Sequence, residues 1–110
     1  YGSSHGEYPK DYQPKFQFDI ISKIKEATHL PLVLQGGSGA GEAVILRSVK
    51  LGINKINVGS DFMKAQKNSL FQLLKENQKI EYPDLLRQAS LAGKEVVKVY
   101  IELSGSKNKA

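Results

Sequence analysis

The chain has 110 residues, 40% of them hydrophobic, with no cysteine or tryptophan, a net charge of +5 and a pI near 9.4. That length holds one globular unit at most, the absence of cysteine excludes a disulfide scaffold, and no apolar run approaches the roughly 20 residues of a membrane span. The basic excess is scattered over Lys23, Lys25, Lys50, Lys64, Lys67, Lys75, Lys79, Lys94 and Lys98, with only the tail SKNKA locally basic. This pattern describes solvated helix faces rather than a nucleic-acid footprint. Without a signal-peptide pattern, the expected location is the cytoplasm.

Residues 2–17 read as a loop rich in Gly, Ser, Tyr and Pro. Phe18 to Thr28 is predicted as an amphipathic helix, with Phe18, Ile21, Ile24 and Ala27 repeating toward one side. Pro31 to Gln35, carrying the apolar run Leu32, Val33 and Leu34, is predicted as a strand covered on both faces. Glu42 to Leu51 is the next helix, with Val44, Ile45, Val49 and Leu51 as its apolar members and Gly52 as its stop. Asn54 to Val58 reads as a second strand. Ser60 or Asp61 can cap a helix reaching about Asn77, and Pro83 opens a long helix to about Leu103, closed by Gly105.

Alternating strands and helices with short loops indicate parallel βαβ units. Two strands, or three if one ends near Tyr1, leave the edges of a parallel sheet unprotected, and an eight-fold barrel takes about 250 residues. The chain is therefore expected to be a piece of a larger α/β domain.

The segment QGGSGAG, Gln35 to Gly41, joins the first strand to its helix. Backbone N–H groups of such a turn, at a helix N-terminus, suit a phosphate; a tight connection that needs glycine dihedrals explains the glycines alone equally well. A dinucleotide fingerprint would require glycine at position 42 and a Walker loop would require lysine there, but the residue is Glu42. A second small, polar turn, INVGSD, follows the next strand with Asn57, Gly59 and Ser60. Two successive strands that end in such turns describe a phosphate site shared by the last two loops of a (β/α)8 barrel.

GSSHG, PLVLQGGSG and KINVGSD, in this order and at these separations, resemble the C-terminal part of the zinc-dependent class II ketose-bisphosphate aldolases. The resemblance spans nearly the whole chain. It implies the C-terminal part of a (β/α)8 TIM barrel, from the end of strand six through strand eight and the C-terminal helices. It also implies a zinc ligand at His5 and contact of Gly6 with dihydroxyacetone phosphate. Substrate phosphate and hydroxyls would be bound by Gly36, Gly37 and Ser38 and by Asn57, Val58, Gly59 and Ser60. The activity implied is reversible aldol cleavage of a ketose bisphosphate, with zinc as Lewis acid, in a homo-oligomer. The acid/base carboxylate and the remaining zinc ligands would belong to the missing N-terminal half of the barrel. This stretch alone carries no catalytic residue and is expected to be inactive.

Gln35 departs from the family pattern, in which a second zinc-binding histidine stands directly before the glycines. An amide oxygen is a hard, weak donor that suits zinc poorly. Either Gln35 ligates the metal weakly beside His5, or the metal is held by fewer protein groups, or metal-dependent activity is lost, and the last is the alternative reading: a non-catalytic aldolase-like subunit that binds a phosphorylated sugar without zinc. Gly59 leans weakly toward tagatose-type substrates, because the fructose-type enzymes tend to carry aspartate there. His29 has no partner motif and reads as an ordinary helix-end histidine. Lys10 and Arg87 are not assigned roles.

Overall fold

The computed structural model describes residues 1–3, 9, 11–12 and 14–109. Six elements follow one another: α1 (Phe18–Thr28), β1 (Leu32–Leu34), α2 (Glu42–Lys50), β2 (Ile53–Ile56), α3 (Ser60–Glu76) and α4 (Tyr82–Leu103). β1 and β2 pair in parallel, Leu32 with Ile53, Val33 with Lys55 and Leu34 with Ile56. The ladder skips Asn54, whose side-chain oxygen takes the Leu32 N–H at 3.0 Å, so a side chain fills the place of the missing backbone acceptor. On the other side of β1, Tyr1–Ser3 runs as a third parallel segment through a Gly2–Gln35 bridge, with Gln35 N–H bonded to Tyr1 O at 2.8 Å.

Both strands are shorter than the sequence pattern suggests, Leu32–Leu34 and Ile53–Ile56, although Gln35 still pairs with Gly2 and Asn57 N–H still reaches the Leu34 carbonyl. Leu34 is buried, whereas Leu32 and Val33 remain half-buried, so the strand is not covered on both faces by this chain. The core gathers Ile21 from α1, Leu34, Ile45 from α2 and Ile53, with Phe18 and Val49 packed against it.

In α1 the apolar stripe differs from expectation: Ile24 and Ala27 are exposed. At 100° per residue, the nine residues from Phe18 to Ala27 turn through about 900°, which leaves Ala27 on the opposite side. Lys25, seven residues on, returns to the face of Phe18. It points inward, donating from Nζ to the Gly52 carbonyl at 2.7 Å and to Asn54 Oδ1 at 3.3 Å, and is not one of the solvated lysines. The helix ends at His29 in the left-handed conformation (φ 54°), its N–H bonded to Lys25 O at 2.9 Å.

α3 and α4 lie against each other. Gly93 is buried in α4, and a Cβ there would stand 2.5 Å from the Phe62 ring. The missing side chain lets α4 approach the first turn of α3, and Tyr100, two helical turns further on, shares that face. Neither Ser60 nor Asp61 caps α3: Ser60 is its first residue and Gly59 occupies the cap without a side-chain bond.

The described residues form an open slab of 57 × 38 × 18 Å with a radius of gyration of 16.9 Å, against about 13 Å for a compact domain of this length. Large apolar side chains such as Met63, Phe71, Leu91 and Val97 are exposed. The 110-residue chain in isolation is expected to show no cooperative melt by circular dichroism; a sharp two-state transition of a monomer would contradict this. A second expectation concerns Ser48, fully buried with its hydroxyl unpaired among the described residues. Because nothing outside can reach it, Ser48→Ala in the full-length polypeptide should leave stability unchanged or raise it by about 1 kcal/mol, read from denaturant unfolding.

Candidate functional site

Parallel pairing sends the C-terminal ends of β1 and β2 to one rim, so the turns after them become neighbours. Gln35, Gly36 and Ser38 from the first turn, and Asn57, Val58, Gly59 and Ser60 from the second, line one cavity of about 280 Å³ together with Met63. That volume sits at the lower edge of small-molecule sites. The ladder runs up to the cavity, since Asn57 N–H bonds the Leu34 carbonyl at 3.1 Å.

The two adjacent glycines serve different constraints. Gly36 adopts φ +66°, and a Cβ there would lie 2.6 Å from Ser3 Oγ, which donates to the Gly36 carbonyl at 3.1 Å. Gly37 is buried and faces inward, 3.2 Å from Ile45 Cδ1 when given a Cβ. It backs the turn onto the core rather than lining the cavity. Among the described residues no atom lies within 4 Å of a Cβ at Gly59, which is an open side of the cavity.

α3 starts at this rim. The first N–H groups of a helix have no intrahelical partner, and its N-terminal end carries partial positive charge, so the second turn presents donors to the cavity. The Asp61 N–H is committed to Ser38 Oγ at 3.5 Å, which draws the first turn onto the helix start. The Asp61 carboxylate accepts from Gly39 N–H at 3.3 Å and from the Tyr100 hydroxyl at 2.7 Å, both on Oδ2. Burial first, and then the Asp61 carboxylate as hydrogen-bond acceptor and negative neighbour, push the Tyr100 hydroxyl well above the usual phenol range. Sequence reasoning treated Asp61 only as a helix cap and missed both Met63 and Tyr100. No local signal links Tyr100 to a residue 39 positions earlier.

His5 and Gly6 lie outside the described residues. Among those that are described, no group of three His, Cys, Asp or Glu could hold a metal ion. Gln35 lines the cavity, and an amide side chain by itself is a poor zinc ligand. His29 stands at the end of α1, as a capping residue.

The sequence profile of the class-II fructose-bisphosphate aldolases matches residues 1–109, and the chain belongs to that family. It is 35% identical over 109 residues to the uncharacterized protein YdjI of Escherichia coli K12, covering 99% of this chain and 37% of that protein. It is 32% identical to the fructose-bisphosphate aldolase of Mycoplasma genitalium (99% and 40% covered) and 37% identical to the sulfofructosephosphate aldolase of Alkalicoccus urumqiensis (99% and 38%). The crystal structure of the E. coli YdjI aldolase superposes with a TM-score of 0.77 at 35% identity, over 88% of this chain and 36% of that one. A putative fructose-1,6-bisphosphate aldolase from Coccidioides immitis shares the fold, with a TM-score of 0.72 at 19% identity over 98% and 38% of the two chains. The chain spans about two fifths of the length of these curated relatives. An α/β arrangement with parallel strands is thus common to the chain and its structural relatives.

The raised Tyr100 pKa has a consequence for stability. Below about pH 10 both folded and unfolded chains keep this proton; above it the unfolded state binds fewer protons, so stability falls as pH rises toward the folded pKa. In the full-length polypeptide, Tyr100→Phe should flatten the decline of unfolding free energy between about pH 10 and 11. Part of the slope should persist through Tyr1, whose pKa burial also raises. An unchanged slope would mean that the Tyr100 hydroxyl is not held as described.

Proposed function

We propose that the polypeptide containing this chain cleaves a ketose bisphosphate reversibly to dihydroxyacetone phosphate and an aldehyde phosphate, and that this chain is the C-terminal part of its (β/α)8 barrel. The observation that carries the reading is the single cavity shared by the turns after two adjacent parallel strands, at the N-terminus of α3. In a barrel of this kind, phosphate is held by the loops after the last two strands.

On this reading Gly36, Ser38, Asn57, Gly59 and Ser60 surround the phosphoryl group. Serine hydroxyls and backbone N–H groups donate to its oxygens, and the α3 dipole favours its charge. Gly37 supports the turn from behind, Val58 closes the apolar side, and Gly6 completes the substrate contact. Among the described residues no Lys or Arg lines the cavity, so binding rests on oriented dipoles. His5 and Gln35 are the groups of this chain assigned to the metal, with further donors from the rest of the barrel. Zinc, when bound, supplies Lewis-acid polarisation of the ketose oxygens. The relatives are named for different sugars, so the substrate class is a ketose phosphate with no particular sugar chosen. A homo-oligomer in the cytoplasm, working in carbohydrate metabolism, is part of the same proposal.

Gln35 in place of a nitrogen donor favours a second reading, a subunit that keeps the phosphate site without zinc. Metal content and ketose-bisphosphate cleavage of the full-length polypeptide separate the two: bound zinc with turnover supports the aldolase, and neither with retained phosphate binding supports the subunit. If Gln35 faces the metal, Gln35→His should tighten zinc by roughly 10 to 100-fold, since even supporting groups around a metal are worth that much. Unchanged affinity and activity would place Gln35 away from the metal.

A further inference from the structure

The glycine turn has little packing to hold its tip. Gly39 is exposed at φ +75°, Gly41 lies at φ +87°, and among the described residues a Cβ on either would meet nothing within 4 Å. Such a segment is held by hydrogen bonds or is not held at all. Its base is tied, through the Gly36 carbonyl to Ser3 and through Ala40 N–H to Gly37 O at 3.1 Å. Two bonds tie the turn to α3: Ser38 Oγ accepts the Asp61 N–H at 3.5 Å, and one residue on, at the tip, Gly39 N–H donates to Asp61 Oδ2 at 3.3 Å. That carboxylate is fixed in turn by the Tyr100 hydroxyl at 2.7 Å. Behind it lies a mostly apolar cleft of about 380 Å³ between α2, α3 and α4, walled by Ile45, Val96, Val99 and Leu103. The Tyr100–Asp61 bond is half-buried whereas the Gly39–Asp61 bond is exposed, so the bond from the Tyr100 hydroxyl is the better shielded from water and the stronger of the two.

We propose that Tyr100 is a positioning residue for the anion site, acting through Asp61: its hydroxyl aims the carboxylate at Gly39 N–H, so that α4 clamps the glycine turn onto the N-terminus of α3. The inference rests on the phosphate reading of the cavity. Asp61 is a negative charge close to a site for an anion, and both bonds fall on its Oδ2, so the clamp also turns that charge toward Tyr100 and Gly39. Without the hydroxyl, the carboxylate is free to rotate toward the donors that the phosphate needs. The close approach of α4 at Gly93 brings Tyr100 within reach.

The test uses the full-length polypeptide, with inorganic phosphate as the probe and KM for a ketose bisphosphate as the second readout. Tyr100→Phe removes only the hydroxyl, and Asp61→Asn keeps the shape while removing the charge. Tyr100→Phe should weaken phosphate binding by about tenfold, on the order of one charge-assisted hydrogen bond, with KM rising and kcat changing less. In the Asp61→Asn background, where no carboxylate charge is left to aim, Tyr100→Phe should change phosphate binding by less than about twofold. A purely structural loss would lower the melting temperature and the active fraction while leaving the phosphate Kd of the folded protein unchanged. Ser60→Ala, which lines the cavity but takes no part in the clamp, reports on the phosphate reading itself. If Ser60→Ala weakens phosphate and Tyr100→Phe leaves it within twofold, the positioning role is overturned. Losses that multiply in the double variant would overturn the route through Asp61. Should Asp61→Asn not fold, the Kd and KM of Tyr100→Phe decide alone. If Ser60→Ala also leaves phosphate binding intact, the phosphate reading fails and the clamp fails with it.

Discussion

The parallel pairing of β1 with β2 is the constraint on which the rest depends. Parallel strands must end at the same rim, so whatever follows each strand is brought beside whatever follows the other. An antiparallel pair of the same residues would send Gln35–Ser38 and Asn57–Ser60 to opposite ends. The pairing is held by a cluster in which one residue from α1, one from each strand and one from α2 meet, namely Ile21, Leu34, Ile53 and Ile45. Leu34 is both a fully buried member of that cluster and the last residue of its strand, so part of the core lies directly beside the site.

The opposite ends of the strands are organised by polar groups. Asn54 lies at the irregularity in the ladder and accepts from Leu32 N–H and Lys25 Nζ, while Lys25 also takes the Gly52 carbonyl at the end of α2. One helix, one turn and two strands converge on these two side chains. A register slip would lose those bonds and move the apolar set to the other face, so the site rim inherits its alignment from interactions at the far end.

The chemistry suggested by the rim comes from dipoles and small side chains. Glycines at positions 36 and 37 allow close approach, to Ser3 in one case and to the core in the other, and Ser38 and Ser60 add hydroxyls. A site of this kind is only as good as its geometry, since weakly oriented donors lose to water. That is the physical reason for a tie such as Tyr100–Asp61–Gly39 around an otherwise unpacked turn.

Much of this was legible in the letters. The order of elements followed from the alternation of apolar runs and turn residues, the bounds of α1 matched residue for residue, and the motifs around Gln35 and Asn57 pointed to the family to which the chain belongs. Local sequence carries these features because periodicity, glycine dihedrals and turn composition act over a few residues. It misjudged the stripe on α1, where steps of three drift around a helix of period 3.6, and it misplaced the cap of α3. What only the tertiary structure decided are the long-range pairs: Lys25 turned inward, Gly93 against Phe62, and Tyr100 on Asp61. Each joins residues 27 or more positions apart through the packing of whole helices, and no pattern along the chain specifies which polar group a helix face will meet.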